Sequence, residues 1–139
     1  MNSRRNFIKK SCAACIGLSA MGLLLDACVS SQNLLKPTLE NNRFQIALDK
    51  FQSSTHYIVR HKSLPFDILV VKNKEQFTAL QMRCTHNDVA LNFAGKKLVC
   101  TAHGSEFDLQ GKVLKEPASA SLTTYKTSVQ DQFLTIQLS

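Results

Sequence analysis

At 139 residues the chain has room for one domain with a modest core, and none for a second catalytic domain. Hydrophobic residues make up 44% and charged residues 19%, which excludes a disordered chain. The net charge is +7, yet no Lys/Arg stripe or reading motif accompanies it and Trp is absent, which argues against nucleic acid as a partner.

Much of the charge lies at the start, where Arg4, Arg5, Lys9 and Lys10 precede an apolar run from Ser11 to Leu25. Those 15 residues fall short of the ~20 a membrane span needs. They suit the apolar region of a secretory signal. Ser3-Arg4-Arg5-Asn6-Phe7-Ile8-Lys9 resembles the twin-arginine export signal, with an apolar residue two places after the second Arg. Leu25-Asp26-Ala27-Cys28 resembles a bacterial lipobox, which makes Cys28 the lipidated first residue of the mature chain. A plain signal peptide or an uncleaved anchor are the alternatives; Asp26 counts against the anchor, because a carboxylate in the span costs roughly 2.5–3.5 kcal/mol. Cys12 and Cys15 are small apolar filling in this run. Residues 1–27 therefore read as a leader and 28–42, polar and patternless, as a tether.

The domain follows over 43–139. Phe44, Ile46 and Leu48 alternate with Gln45 and Ala47, the period of a half-buried strand. Tyr57–Val59, Phe66–Val71 and Phe77–Met82 follow, with Lys72–Glu75 as a hairpin turn. Lys96–Cys100 and Ser105–Asp108 are shorter strand candidates around a loop at 101–104. Tyr125–Val129 and Phe133–Leu138 close the chain about a turn at Asp131-Gln132. No long amphipathic helix appears. Many short strands predict an all-β fold, an antiparallel sandwich or barrel.

Cys84-Thr85-His86 follows one strand and Cys100-Thr101-Ala102-His103 another, each offering one thiol and one imidazole from a tight loop. Such a set can hold zinc or an iron–sulfur cluster; a simple disulfide between the two cysteines is a third reading. His56 and His61 have no cysteine partner nearby in sequence and receive no role.

Cys84-Thr85-His86, then Cys100-x-x-His103-Gly104-Ser105, Phe107-Asp108, Gly111 and Pro117-Ala118, resemble the Rieske family in order and spacing over roughly residues 43–139. The resemblance implies a β sandwich or barrel with a cluster-binding subdomain of two loops. It implies a [2Fe–2S] cluster in which Cys84 and Cys100 bind the inner iron, and His86 and His103 the outer one. It also implies roles around the cluster. Ser105 stands where high-potential members place a Ser that hydrogen-bonds a sulfide. Phe107 stands where they often have a Tyr, and Val89 and Ala102 where they carry a disulfide. A potential intermediate in the Rieske range of roughly −150 to +300 mV is expected. The twin-arginine route exports proteins already folded, as one carrying a cluster assembled in the cytoplasm would need.

Two functional expectations follow. One is a lipid-tethered electron carrier of the bacterial cell envelope, on its extracytoplasmic side, exchanging electrons with a cytochrome or a membrane quinol or dehydrogenase complex. The other is the iron–sulfur subunit of a quinol–cytochrome c oxidoreductase. From Cys28 onward the chain keeps 13 basic and 9 acidic residues, a +4 balance that fits weak steering toward an acidic redox partner or an anionic membrane surface. A terminal oxygenase is excluded, because its mononuclear iron site with two His and a carboxylate is missing. A redox sensor or structural metal module remains a further reading.

Overall fold

A computed structural model describes residues 33–138. The stretch expected to be a leader, with Arg4 and Arg5, and the expected lipid attachment at Cys28 lie outside them. Twelve short strands and one 3₁₀ turn make up the fold. In chain order the strands are β1 (Leu34–Leu35), β2 (Leu39–Glu40), β3 (Arg43–Ala47), β4 (His56–Val59), β5 (Ile68–Asn73), β6 (Gln76–Gln81) and β7 (Asn92–Phe93). They continue with β8 (Leu98–Val99), β9 (Glu106–Phe107), β10 (Val113–Lys115), β11 (Thr124–Gln130) and β12 (Phe133–Gln137). Among the described residues no helix is long and apolar enough to cross a membrane.

The larger sheet has the order β1-β4-β5-β6-β11-β12-β3-β2, and the smaller β10-β9-β8-β7. Consecutive strands β1 and β2 occupy opposite edges of the larger sheet. Residues 36–38 alone join them, so Leu35 and Leu39 are at most about 14 Å apart. The sheet must therefore curl until its edges nearly meet. The ring of Phe44, on β3, stands edge-on to His61, just beyond β4, at 5.5 Å across this seam.

Period two sorts the side chains of β4, β5 and β6 into two cores. Tyr57, Val59, Ile68, Val70 and Ala79 point into the barrel with Phe44, Ile46, Leu134 and Ile136. Ile58, Leu69, Leu80 and Met82 point the other way and pack with Cys84, Leu98, Cys100 and Phe107 of the smaller sheet and its loops. These strands are covered on both faces, which is why Tyr57–Val59 and Ile68–Val71 are unbroken apolar runs.

Several boundaries differ from the sequence reading. Leu48 does not continue β3; it opens the 3₁₀ turn Leu48–Gln52, whose Phe51 enters the barrel core. The β5–β6 turn is Lys74-Glu75 alone, with Asn73 paired to Gln76 and Lys74 at φ 56°. Part of the stretch read as a tether belongs to the sheet: β1 pairs parallel with β4, and β2 antiparallel with β3. Partners lying 20 or so residues away leave no local periodicity to read at Leu34-Leu35.

The strand directions give the barrel two ends. β4 and β6 run toward the end where Met82 N–H donates to Asp67 O at 2.8 Å, two residues before Cys84. The turns at 74–75 and 131–132 lie at the other end. Asn33 is tied to that far half by Ile58 N–H donating to its carbonyl and by its own Nδ2 donating to Ser54 Oγ at 2.6 Å.

Candidate metal centre

The two cysteine loops have different spacing but are closed in the same way. Cys84 N–H donates to Val89 O at 2.8 Å, and Cys84 O accepts from Asp88 N–H at 3.0 Å. Cys100 N–H donates to Ser105 O at 2.8 Å, and Cys100 O accepts from Gly104 N–H at 2.9 Å. Each loop thus folds back over four residues, and its penultimate residue takes positive φ: 45° at Asp88 and 81° at Gly104. Glycine adopts that conformation freely, and Asp is among the few other residues that tolerate it. In the first loop the Arg83 Nε–H group also donates to Asp88 Oδ1 at 2.7 Å. The guanidinium of Arg83 lies 5.9 Å from the centre of the Phe66 ring.

This geometry sorts the donors by depth. Cys84 and Cys100 are 0% and 1% exposed, and their thiols are not bonded to one another. His86 and His103 are exposed, with ring centroids 5.0 Å apart and planes at 82°. Burial pushes the Cys100 thiol up, but hydrogen bonding from the backbone of His103 and Ala102 and from Cys84 outweighs it, leaving its pKa below that of an ordinary thiol. That environment favours a thiolate, the form that binds metal.

Ser105 is fully buried, and its Oγ accepts from Ala118 N–H at 3.0 Å. Among the described residues its hydroxyl hydrogen has no acceptor. A sulfide between the loops would supply one. Phe107, also fully buried, packs among the cysteines and has no hydrogen to donate.

The sequence reading had two loops, and the structure adds a third piece. The segment 116–121 crosses both: Ala118 N–H binds Ser105 behind the second loop, and Thr85 Oγ1 in the first donates to Ala120 O at 2.6 Å. In the sequence Pro117-Ala118 stood out only through the family resemblance. Where the segment lands depends on contacts 13 and 35 residues distant. Its approach is set by the turn after β9, where Asp108 Oδ1 accepts from the N–H groups of Gln110 and Lys112 and Gly111 takes φ 85°. His56, outside the site, has its ring 4.5 Å from that of Phe93, and burial lowers its pKa.

The donors fall into a buried sulfur pair and an exposed nitrogen pair. Among the described residues no three His, Cys, Asp or Glu side chains gather around one point as a single-ion site requires. Soft sulfur on one side, imidazole on the other and a spare buried hydroxyl fit a two-iron, two-sulfide group.

The comparisons agree with that fit. The family model of the Rieske [2Fe-2S] domain matches residues 47–126, which take in both loops and the crossing segment. The chain is similar to the cytochrome b6-f complex iron-sulfur subunit of Prochlorococcus marinus, 34% identical over 67 residues, 45% of this chain and 38% of that one. It is likewise similar to that of Nostoc punctiforme, 39% identical over 67 residues, 45% of this chain and 37% of that one. The matched stretch thus spans less than two fifths of those curated relatives. Among solved structures it is similar to the cyanobacterial plasma membrane Rieske protein PetC3 from Synechocystis PCC 6803, 31% identical with TM-score 0.55, covering 66% of this chain and 94% of that one. By its matched residues and its fold, the chain belongs to the Rieske [2Fe-2S] domain family.

Proposed function

We propose that the protein is a one-electron carrier of the bacterial cell envelope, with Cys84 and Cys100 holding the inner iron of a [2Fe–2S] cluster and His86 and His103 the outer. The observation that carries this reading is the pair of identically closed loops, which hold two unlinked thiols in the core behind two imidazoles at the surface. Bound there, the cluster supplies a one-electron couple.

The chain's own residues set the character of that couple. The thiolates of Cys84 and Cys100 would balance the net charge of two ferric ions and two sulfides, and the imidazoles of His86 and His103 would add none, so the oxidised group would be held near zero charge. The Ser105 hydroxyl and the backbone groups around Cys100 favour the more negative, reduced state. Phe107 keeps the cysteine side dry and offers no donor. Those contributions leave an intermediate potential. His86 and His103 form the exposed edge.

Arg4-Arg5 and Cys28 extend the reading to export through the twin-arginine route and attachment by lipid on the extracytoplasmic side, with a cytochrome or a membrane quinol or dehydrogenase complex as redox partner. The second reading, a subunit of a quinol–cytochrome c oxidoreductase-type complex, is favoured by the similarity to cytochrome b6-f complex iron-sulfur subunits. Purification of the native protein separates the two, since a complex subunit copurifies with a cytochrome b and a free carrier does not. The test common to both is metal and acid-labile sulfide analysis with visible and EPR spectra. A Rieske spectrum lost in Cys84→Ser and His103→Ala is expected; zinc alone, or no sulfide in protein made with ample iron, overturns the reading.

A further inference from the structure

Beside the cysteine loops the barrel end carries a groove lined by Lys36, Arg60, His61, Lys62, Leu64 and Asp67. Three cations and an imidazole meet one carboxylate there. That carboxylate is already engaged, with Arg60 Nε and Nη2 donating to it at 2.7–3.1 Å. Lys36 and Lys62 are exposed and form no ion pair among the described residues. His61 Nδ1 is turned to Ser63, 2.7 Å from its Oγ and 3.2 Å from its N–H.

The groove also lies at the electron-carrying end. Its wall residue Asp67 accepts from Met82 N–H, two residues before Cys84, and the neighbouring Phe66 lies against Arg83, which binds Asp88 inside the first loop. One strand spacing of about 4.8 Å from Asp67 to Met82 and two residues at about 3.3 Å each put Cys84 at most about 11 Å from Asp67. A protein surface docked on Lys36 and Lys62 would therefore sit at the barrel end that leads into the first cysteine loop.

We infer that this groove docks the redox partner, and that the partner offers it a carboxylate-rich surface. The inference rests on the electron-carrier reading and deepens it by assigning the partner's charge. Concave sites lined by one sign of charge concentrate oppositely charged partners and raise association rates about 10- to 10³-fold at low salt. Opposite charges at the rim act mainly through that rate.

The test uses the full-length protein in two double variants of equal charge change. K36E/K62E reverses the groove; K72E/K74E reverses two lysines at the far end of β5, about 20 Å away along the strand. The first probe is a fluorescent polyglutamate peptide, read by anisotropy at low salt. The second is the oxidation rate of the reduced cluster by an anionic cobalt(III) chelate relative to a cationic one, each taking one electron and becoming cobalt(II). The expected result is a loss of peptide affinity of about tenfold or more in K36E/K62E alone, fading as salt shortens the Debye length to about 8 Å. A matching fall in the anionic-to-cationic rate ratio accompanies it. Equal losses in both variants, or full peptide binding by K36E/K62E, overturn the inference. So does binding of anionic phospholipid vesicles, but not peptide, through the groove, which would make it a lipid contact. The visible spectrum of each variant keeps the two readings apart: without a cluster the carrier reading fails, whereas peptide binding is still read directly.

Discussion

Ser105→Ala removes one hydroxyl with two separable duties. Its oxygen accepts from Ala118 N–H, and both groups are buried, at 0% and 1% exposure. Losing the acceptor leaves a desolvated N–H unpaired, which costs about 1–3 kcal/mol of stability. Its hydrogen has no acceptor among the described residues and would be free to donate to a cluster sulfide. A neutral hydrogen bond contributes about 0.5–1.5 kcal/mol, and the reduced, more negative acceptor takes most of it. For one electron a tenfold change in equilibrium, about 1.4 kcal/mol, corresponds to 59 mV, so the midpoint should fall by about 20–65 mV. Spectroscopic redox titration of the purified variant reads the second effect, and urea denaturation of the cluster-loaded protein the first. A midpoint that stays in place while stability drops would refute the assignment of the hydroxyl hydrogen. Unchanged stability would refute the structural contribution of the Ala118 contact.

Three further outcomes are expected. His103→Cys places a thiolate at the exposed edge, making the site more negative, and the midpoint should drop by on the order of 100 mV; an unshifted potential would defeat the charge argument. Gly111→Ala should lower the urea midpoint by the equivalent of about 1–3 kcal/mol, since φ is 85° and the new Cβ would stand 3.0 Å from Leu80 Cδ2 and 3.3 Å from Leu122 Cβ; a neutral result would mean that both side chains yield freely. Lys97 Nζ donates to Glu106 Oε2 at 2.6 Å and holds that carboxyl below the usual carboxylate range. A depressed folded value means the contribution is complete at neutral pH and is lost as pH falls through it. Glu106→Gln should accordingly flatten the decline of Tm below roughly pH 4.5, and an unaltered acid limb would show the pair to be inconsequential.

What could be read in advance followed the range of the interactions involved. Phe44-Gln45-Ile46 alternates because β3 has a core on one face only, and its strand was legible. Tyr57–Val59 and Ile68–Val71 read as apolar runs, but nothing local says that alternate residues serve different cores. β7 and β10 passed unnoticed because two or three residues make no period, whereas the equally short β8 and β9 were marked out by the cysteine loop between them; β10 is also broken by a register shift between Val113 and Lys115. The four donor residues stood out because Cys and His are rare and their loops are short. The equivalence of those loops did not, since one places its His at the second position after Cys and the other at the third. Only the backbone hydrogen bonds reveal it. The crossing of 116–121 was illegible for the same reason as β1, because its partners are distant in the chain.

β4, β5 and β6 act as a party wall, with Ile58, Leu69 and Leu80 lining one room and Tyr57, Val59, Ile68 and Val70 the other. Neither room can be rented alone: excising residues 84–122 as a portable metal module would bare Ile58, Leu69 and Leu80 on the barrel and strip the excised piece of the side chains it packs against. Transplanting this centre into another protein therefore means carrying the wall along with the loops.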